Sequence, residues 1–184
     1  MASVKGGACH CAAASLGEPF YDDDSKLFWE KEETKQLTQT TKPLSDFKGT
    51  DFDCVFYVGG YGTMSDFPNA PDVARVGSEV YVSGGHVAAV CHGQSALLNM
   101  TLPDGQHLVK GKTVVSFTNE EEAAMGHPKL PTPGTQEDML TALGADFSKG
   151  EPWSCTIRSS ERLHTGQNPA SAGALGAAIV SAMQ

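Results

Sequence analysis

One stretch of the chain carries the residue types best suited to covalent chemistry: Gly84-Gly85-His86-Val87-Ala88-Ala89-Val90-Cys91-His92-Gly93-Gln94-Ser95-Ala96-Leu97-Leu98. The apolar run Val87 to Val90 stops at Cys91, and Gln94 to Met100 predicts a helix. A strand, a sharp turn and a helix with a thiol at the apex form a sulfur version of the nucleophile elbow, with Ala89 and Gly93 as its small flanks. The free N–H groups and positive dipole end of a helix start favour an anion, so Cys91 is expected to lose its proton more easily than a free cysteine. Cys91 is therefore the candidate nucleophile. The plainer explanation, a buried small apolar residue, suits a cysteine inside a strand or helix better than one between them. His92 follows at once. Because consecutive helical residues point in different directions, His92 can act as a base only if the elbow turns its ring back toward the sulfur.

Two further groups bear on the same chemistry. Gly59-Gly60-Tyr61-Gly62 follows an apolar run, and glycines there let backbone N–H groups approach a ligand closely. An ordinary tight turn explains them equally well when they are taken alone. Beside an elbow they gain weight, since ligands of open parallel sheets bind at the carboxyl ends of strands. Gly59, Gly60 and Gly93 are accordingly the candidate oxyanion and substrate-binding positions, with the N–H of His92 and one from the Gly59-Gly60 turn as donors. Thr118-Asn119-Glu120-Glu121-Glu122 reads as a cap followed by carboxylates. Such glutamates usually complement the helix dipole, but one of them can face the site.

These residues need a frame to hold them. Asp51 to Val58 predicts a strand buried on both faces, Pro71 to Val82 a crossover helix closed by Gly84-Gly85, and Lys112 to Phe117 a further parallel strand. Thr135 to Leu143 predicts a helix stopped by Gly144. Ser154 to Arg158 and Arg162 to Thr165 look like an antiparallel pair, and Ala170 to Met183 like a small-residue helix. The chain is read as a single domain over 1–184, atypical over 1–50 and with its core in 51–184. Ala2 to Gly7 looks like a turn, and Asp22-Asp23-Asp24 is a solvated cap ahead of Lys26-Leu27-Phe28-Trp29, whose apolar members can touch a core.

At 184 residues the chain is one domain of ordinary size. Its 13 Lys and Arg against 22 Asp and Glu give a net charge of -9, which disfavours nucleic acid or an anionic membrane as partner. A small neutral or carbonyl-bearing substrate fits better. No apolar run approaches the roughly 18 residues of a membrane span, and no secretion signal opens the chain, so a cytoplasmic location is expected. Five cysteines in such a chain argue against a disulfide framework. Cys9-His10-Cys11 lacks the spacing and second pair of a zinc site, and no metal is expected.

Four segments, in order, resemble the ThiJ/PfpI superfamily: Tyr57 to Asp66, Val87 to Gly93, Phe117 to Glu122, and Thr165 to Ser171. Within it they most resemble the glutathione-independent glyoxalases, also called D-lactate dehydratases and related to a heat-shock holding chaperone. The resemblance implies a flavodoxin-like α/β fold, like that of class I glutamine amidotransferases, with a mostly parallel sheet and helices on both faces. It also implies that Cys91 adds to the aldehyde of methylglyoxal or glyoxal, that His92 is counted with it as catalytic, and that an enediol route gives lactate with no cofactor. Two departures stand out. Tyr61 replaces a common histidine, and the family's opening strand, helix and strand, with the glutamate they supply, have no counterpart here. Glu18, Glu30 or Glu121 is expected to substitute for that acid. The strand from Asp53 to Val58 is expected to be an exposed apolar edge unless a partner chain, as in a homodimer, covers it. The alternatives are a holding chaperone or cysteine redox sensor, and amide or peptide hydrolysis through an acyl-enzyme.

Overall fold

The computed structural model describes residues 1–9, 17, 21–126 and 132–184. The chain divides into two compact units, Met1–Phe47 and Lys48–Gln184. In the first, β1 (Ala2–Ser3) leads to α1 (Asp23–Glu30), α2 (Glu32–Gln39) and β2 (Lys42–Pro43). The stretch expected as a turn is thus partly a strand, since β1 pairs in parallel with β2. Asp22 caps α1 by accepting the Ser25 N–H at 2.8 Å. Neither helix buries a residue, so the apolar Leu27 and Phe28 stay exposed rather than joining a core.

The second unit opens with β3 (Cys54–Tyr57), α3 (Thr63–Asp66), α4 (Pro71–Val82) and β4 (His86–Val90). There follow β5 (Thr113–Val114), α5 (Asn119–Met125), α6 (Gln136–Ala142), β6 (Asp146–Phe147), β7 (Ile157–Ser160), β8 (Leu163–Gly166) and α7 (Ala172–Ala182). The four-stranded sheet has the order β3-β4-β8-β7, with β3, β4 and β8 parallel and β7 antiparallel to β8. Alternation along each strand gives the sheet two apolar faces. On one, the Tyr57 hydroxyl donates to the Val73 carbonyl at 2.7 Å, so Tyr57 and its register partner Ala89 lie under α4. On the other, Ala88 and Val90 pack with Leu175 and Ile179 of α7 and with Phe117, flanked by Cys54 and Ile157. Helices therefore cover both faces.

Two elements differ from expectation. The strand expected over Lys112 to Phe117 shrinks to β5, which pairs with β6 in a separate two-stranded ladder. Just beyond it, the Val115 N–H donates to the Thr165 side-chain hydroxyl at 3.0 Å, so a side chain takes the place of a ladder partner. The helix expected after the elbow is a 3-10 helix, Cys91–Asn99, with Cys91 to Leu98 all buried. An α-helix would need the His92 carbonyl for its own i to i+4 bond. Here the side chains of Thr63, Ser95 and Gln136 donate to that oxygen at 2.7, 2.9 and 2.6 Å. At the other margin, β3 is an outer strand of the four-stranded sheet, and Phe56 and Val58 are 37% and 63% exposed. No helix among the described residues is long and apolar enough to cross a membrane.

Candidate active site

β4 ends at Val90 in extended conformation, and Cys91 then turns to φ +57. A non-glycine residue in this left-handed region is held there at a cost of about 1–3 kcal/mol by its surroundings. The bend leaves no room for a side chain at Gly59 or Gly93. A Cβ on Gly59 would come within 2.8 Å of the Val90 carbonyl oxygen and 2.9 Å of the Cys91 Cβ, and one on Gly93 would press on the carbonyl oxygens of Tyr57 and Val58. Gly60 stands at φ +115, open only to glycine. As a result the backbone N–H groups of His92 and Gly60 both face the Cys91 sulfur. Negative charge developing at or next to the sulfur would be met by two fixed donors.

Burial dominates the acidity of this thiol. It pushes Cys91 up to about 12, the His92 and Gly60 N–H groups pull it back, and the charges of Glu121 and Glu122 push it up again. The expectation of an easily ionised thiol is thus reversed. The N–H groups of His92 and Gly60 favour the thiolate, but desolvation of a cysteine that is only 8% exposed outweighs them.

His92 is turned back toward the sulfur, the orientation that acting as a base would require. Its Nδ1 lies 3.3 Å from the Cys91 Sγ and its Nε2 2.6 Å from Glu122 Oε1. The carboxylate at Nε2 selects the tautomer with its proton there, leaving Nδ1 as the acceptor for the thiol proton. The ring is wedged between aromatic groups, with Tyr61 edge-on at 5.6 Å and Phe117 tilted at 4.4 Å between centroids. Phe117 in turn meets Trp153 edge-on at 5.5 Å. Tyr61, which stands where the resembled family commonly has histidine, therefore lies against the His92 ring, and burial and Glu122 raise its hydroxyl above the ordinary value of 10.0.

The carboxylates divide differently from expectation. Glu122, one residue beyond the candidate Glu121, is the group that meets His92. Glu121 is fully buried and bonds to Thr118, Trp153, Gln167 and Asn168. Glu30 is exposed at the end of α1 in the first unit. Glu18 lies outside the described residues, as do His10 and Cys11 of the segment weighed as a metal site. Among three successive glutamates in one first turn, nothing local distinguishes the one facing His92. The direction in which the folded helix points each side chain separates them.

The DJ-1/PfpI family pattern matches residues 30–181. Glyoxalase 3 of Candida albicans is 34% identical over 148 residues, covering 78% of this chain and 63% of the relative, so the chain spans under two thirds of that protein. The glutathione-independent glyoxalase HSP31 of Saccharomyces cerevisiae is 30% identical over 92% of this chain and 75% of its own length. Among solved structures, the Rapid Encystment Protein 24 KDa of Francisella tularensis superposes with a TM-score of 0.92 at 30% identity, over 100% of this chain and 80% of that one. Glyoxalase III of Candida albicans gives 0.81 at 29% identity, over 94% and 75%. By its sequence pattern, its helix-covered parallel sheet and these neighbours, the chain belongs to the DJ-1/PfpI family and has that family's flavodoxin-like α/β fold.

Proposed function

We propose that this protein is a glutathione-independent glyoxalase, a cofactor-free lyase-type enzyme that converts methylglyoxal to D-lactate with Cys91 as nucleophile. The observation that carries the reading is the relay from Cys91 Sγ through His92, 3.3 Å away at Nδ1 and held by Glu122 at 2.6 Å from Nε2. The names of the relatives at 34% and 30% identity support the substrate class. A thiol held at about 12 does not wait as a thiolate near neutral pH. Its proton leaves for His92 Nδ1 as the sulfur bonds to the aldehyde carbon, and the new oxyanion is met by the N–H groups of His92 and Gly60.

The remaining steps conserve atoms and electrons within the substrate and one water. The imidazolium returns its proton to the oxyanion, giving a neutral hemithioacetal. His92 Nδ1, deprotonated again, takes the proton from that carbon as the neighbouring carbonyl becomes an enediolate, then delivers it to the second carbon while the hydroxyl proton of the first carbon passes to the oxygen of the second. The first carbon is oxidised to a thioester and the second reduced to a secondary alcohol, so no external oxidant or reductant is needed. Water, deprotonated by His92, then releases lactate and restores the thiol. Glu122 holds the ring and balances its transient charge throughout.

The test is lactate release from methylglyoxal in the absence of glutathione. Activity that is lost in Cys91→Ala is the expected result. A folded parent protein that releases no lactate at micromolar concentration would sink the reading.

A further inference from the structure

We propose that Glu121 is a positioning residue of this site, fixing the roll of α5 so that Glu122 meets His92; the inference rests on the reading of Cys91, His92 and Glu122 as the reacting groups. Glu121 is fully buried, and every partner of its carboxylate is a donor. Oε2 accepts from the Thr118 N–H at 2.9 Å and the Thr118 hydroxyl at 3.1 Å. Oε1 accepts from the Trp153 N–H at 2.8 Å, Gln167 Nε2 at 3.1 Å and Asn168 Nδ2 at 2.8 Å.

The first oxygen completes a capping box with Thr118, which is all that starting the helix requires. The second is not needed for capping, and an exposed glutamate could cap α5 without the desolvation cost of a buried carboxylate. Its three donors come from outside the helix, from the turn ahead of β7 and the loop after β8. Those donors are themselves held. Gln167 Oε1 accepts from the Gly150 N–H at 2.9 Å, and Asn168 Nδ2 also donates to the Ser154 carbonyl at 2.9 Å. Trp153 presents its N–H from a left-handed backbone, φ +64, an unusual state for a large side chain.

Successive side chains on a helix are about 100° apart, so clamping Glu121 toward this frame sets the direction of Glu122. That residue's Oε1 is then brought to 2.6 Å from His92 Nε2. The two adjacent glutamates thus divide the work: one anchors the helix to the scaffold, and the other reaches into the site.

The experiment compares Glu121→Gln with Glu120→Gln, an exposed neighbour paired with Lys149, and with the gentler Asn168→Ala. Two readouts are taken: kcat and KM with methylglyoxal, and the far-downfield proton signal of His92 Nε2–H, assigned by its loss in Glu122→Gln. In Glu121→Gln an amide NH₂ faces donors, α5 rolls, kcat falls by ~10²-fold as expected for a misplacement of about 1 Å, KM stays within about twofold, and the signal shifts or vanishes. Asn168→Ala moves both readouts in the same direction by less, and Glu120→Gln moves neither. A folded Glu121→Gln with parental kcat and an unchanged signal overturns the proposal. Should that variant fail to fold by circular dichroism, Asn168→Ala decides, and parental values for both readouts overturn it. The proton signal needs no substrate, so a parent inactive on methylglyoxal refutes the glyoxalase reading while the positioning claim is still judged on its own.

Discussion

Cys91 combines a reactive atom with an environment that suppresses its ionisation. The residue is 8% exposed, burial and two nearby carboxylates raise the thiol to about 12, and two N–H groups oppose them. Alkylation by iodoacetamide at pH 8 should therefore be at least ~10-fold slower at Cys91 than at the exposed Cys155. The Cys91 rate should keep climbing above pH 10, where an ordinary thiol has levelled off; mass spectrometry of the modified peptides reads both. Glu122→Gln separates acidity from catalysis. Removing that negative charge lets the thiol ionise at a lower pH, whereas losing the group that holds His92 should cut kcat by about 10²-fold or more. Alkylation and turnover then move in opposite directions. At this scale the thiol, the histidine after it and the glycines beside it were legible from residue type and spacing. The identity of the partner carboxylate was not, because Glu121 and Glu122 differ only in the direction the folded helix gives them.

The bend after β4 and the start of α5 are the elements on which the site geometry depends. At Gly93 an added methyl group would press on the Tyr57 and Val58 carbonyl oxygens, which are backbone and cannot swing away. Gly93→Ala should cost at least ~2 kcal/mol of stability, measured by urea denaturation, and should lower turnover in whatever fraction remains folded. Thr118 caps α5 through its side chain and also donates to Glu121. Thr118→Ala should cost ~1–2 kcal/mol and weaken the Glu122 to His92 contact as well. The helix Pro71–Val82 was readable residue by residue, since proline suits its first turn and Val73, Val76 and Val80 follow a helical period onto the sheet. The strand at Thr113–Val114 was readable but its early end was not, because Thr165 replaces backbone pairing at Val115 with a hydroxyl, which no periodicity foretells.

In the whole molecule, buried acids tie stability to alkaline pH. Cys91 ionises near 9.0 when unfolded and near 12 when folded, and burial likewise raises Tyr57 above its ordinary 10.0. Between those limits the unfolded chain binds fewer protons than the native one, so unfolding free energy falls as pH rises. The contribution of Cys91 is complete below pH 9 and is lost progressively toward pH 12, by ~4 kcal/mol at most. Denaturation midpoints taken from pH 8 to 11 should decline, and the decline should be shallower in Cys91→Ser, whose hydroxyl does not titrate there. An equal slope in both proteins would mean that the sulfur does not carry this linkage.

Residue order alone determined the sheet-forming runs, the crossover helix, the glycine corner and the thiol between strand and helix, because each follows from local periodicity, backbone freedom or steric exclusion. Tertiary structure decided what those parts could do. Burial reversed the acidity expected of Cys91, side chains from three elements drew the His92 carbonyl away from an α-helical bond, and the anchoring of Glu121 chose Glu122 as the partner of His92. Each of these is a competition between groups distant in the chain, resolved by solvent exclusion and hydrogen-bond geometry that exist only once the chain has folded.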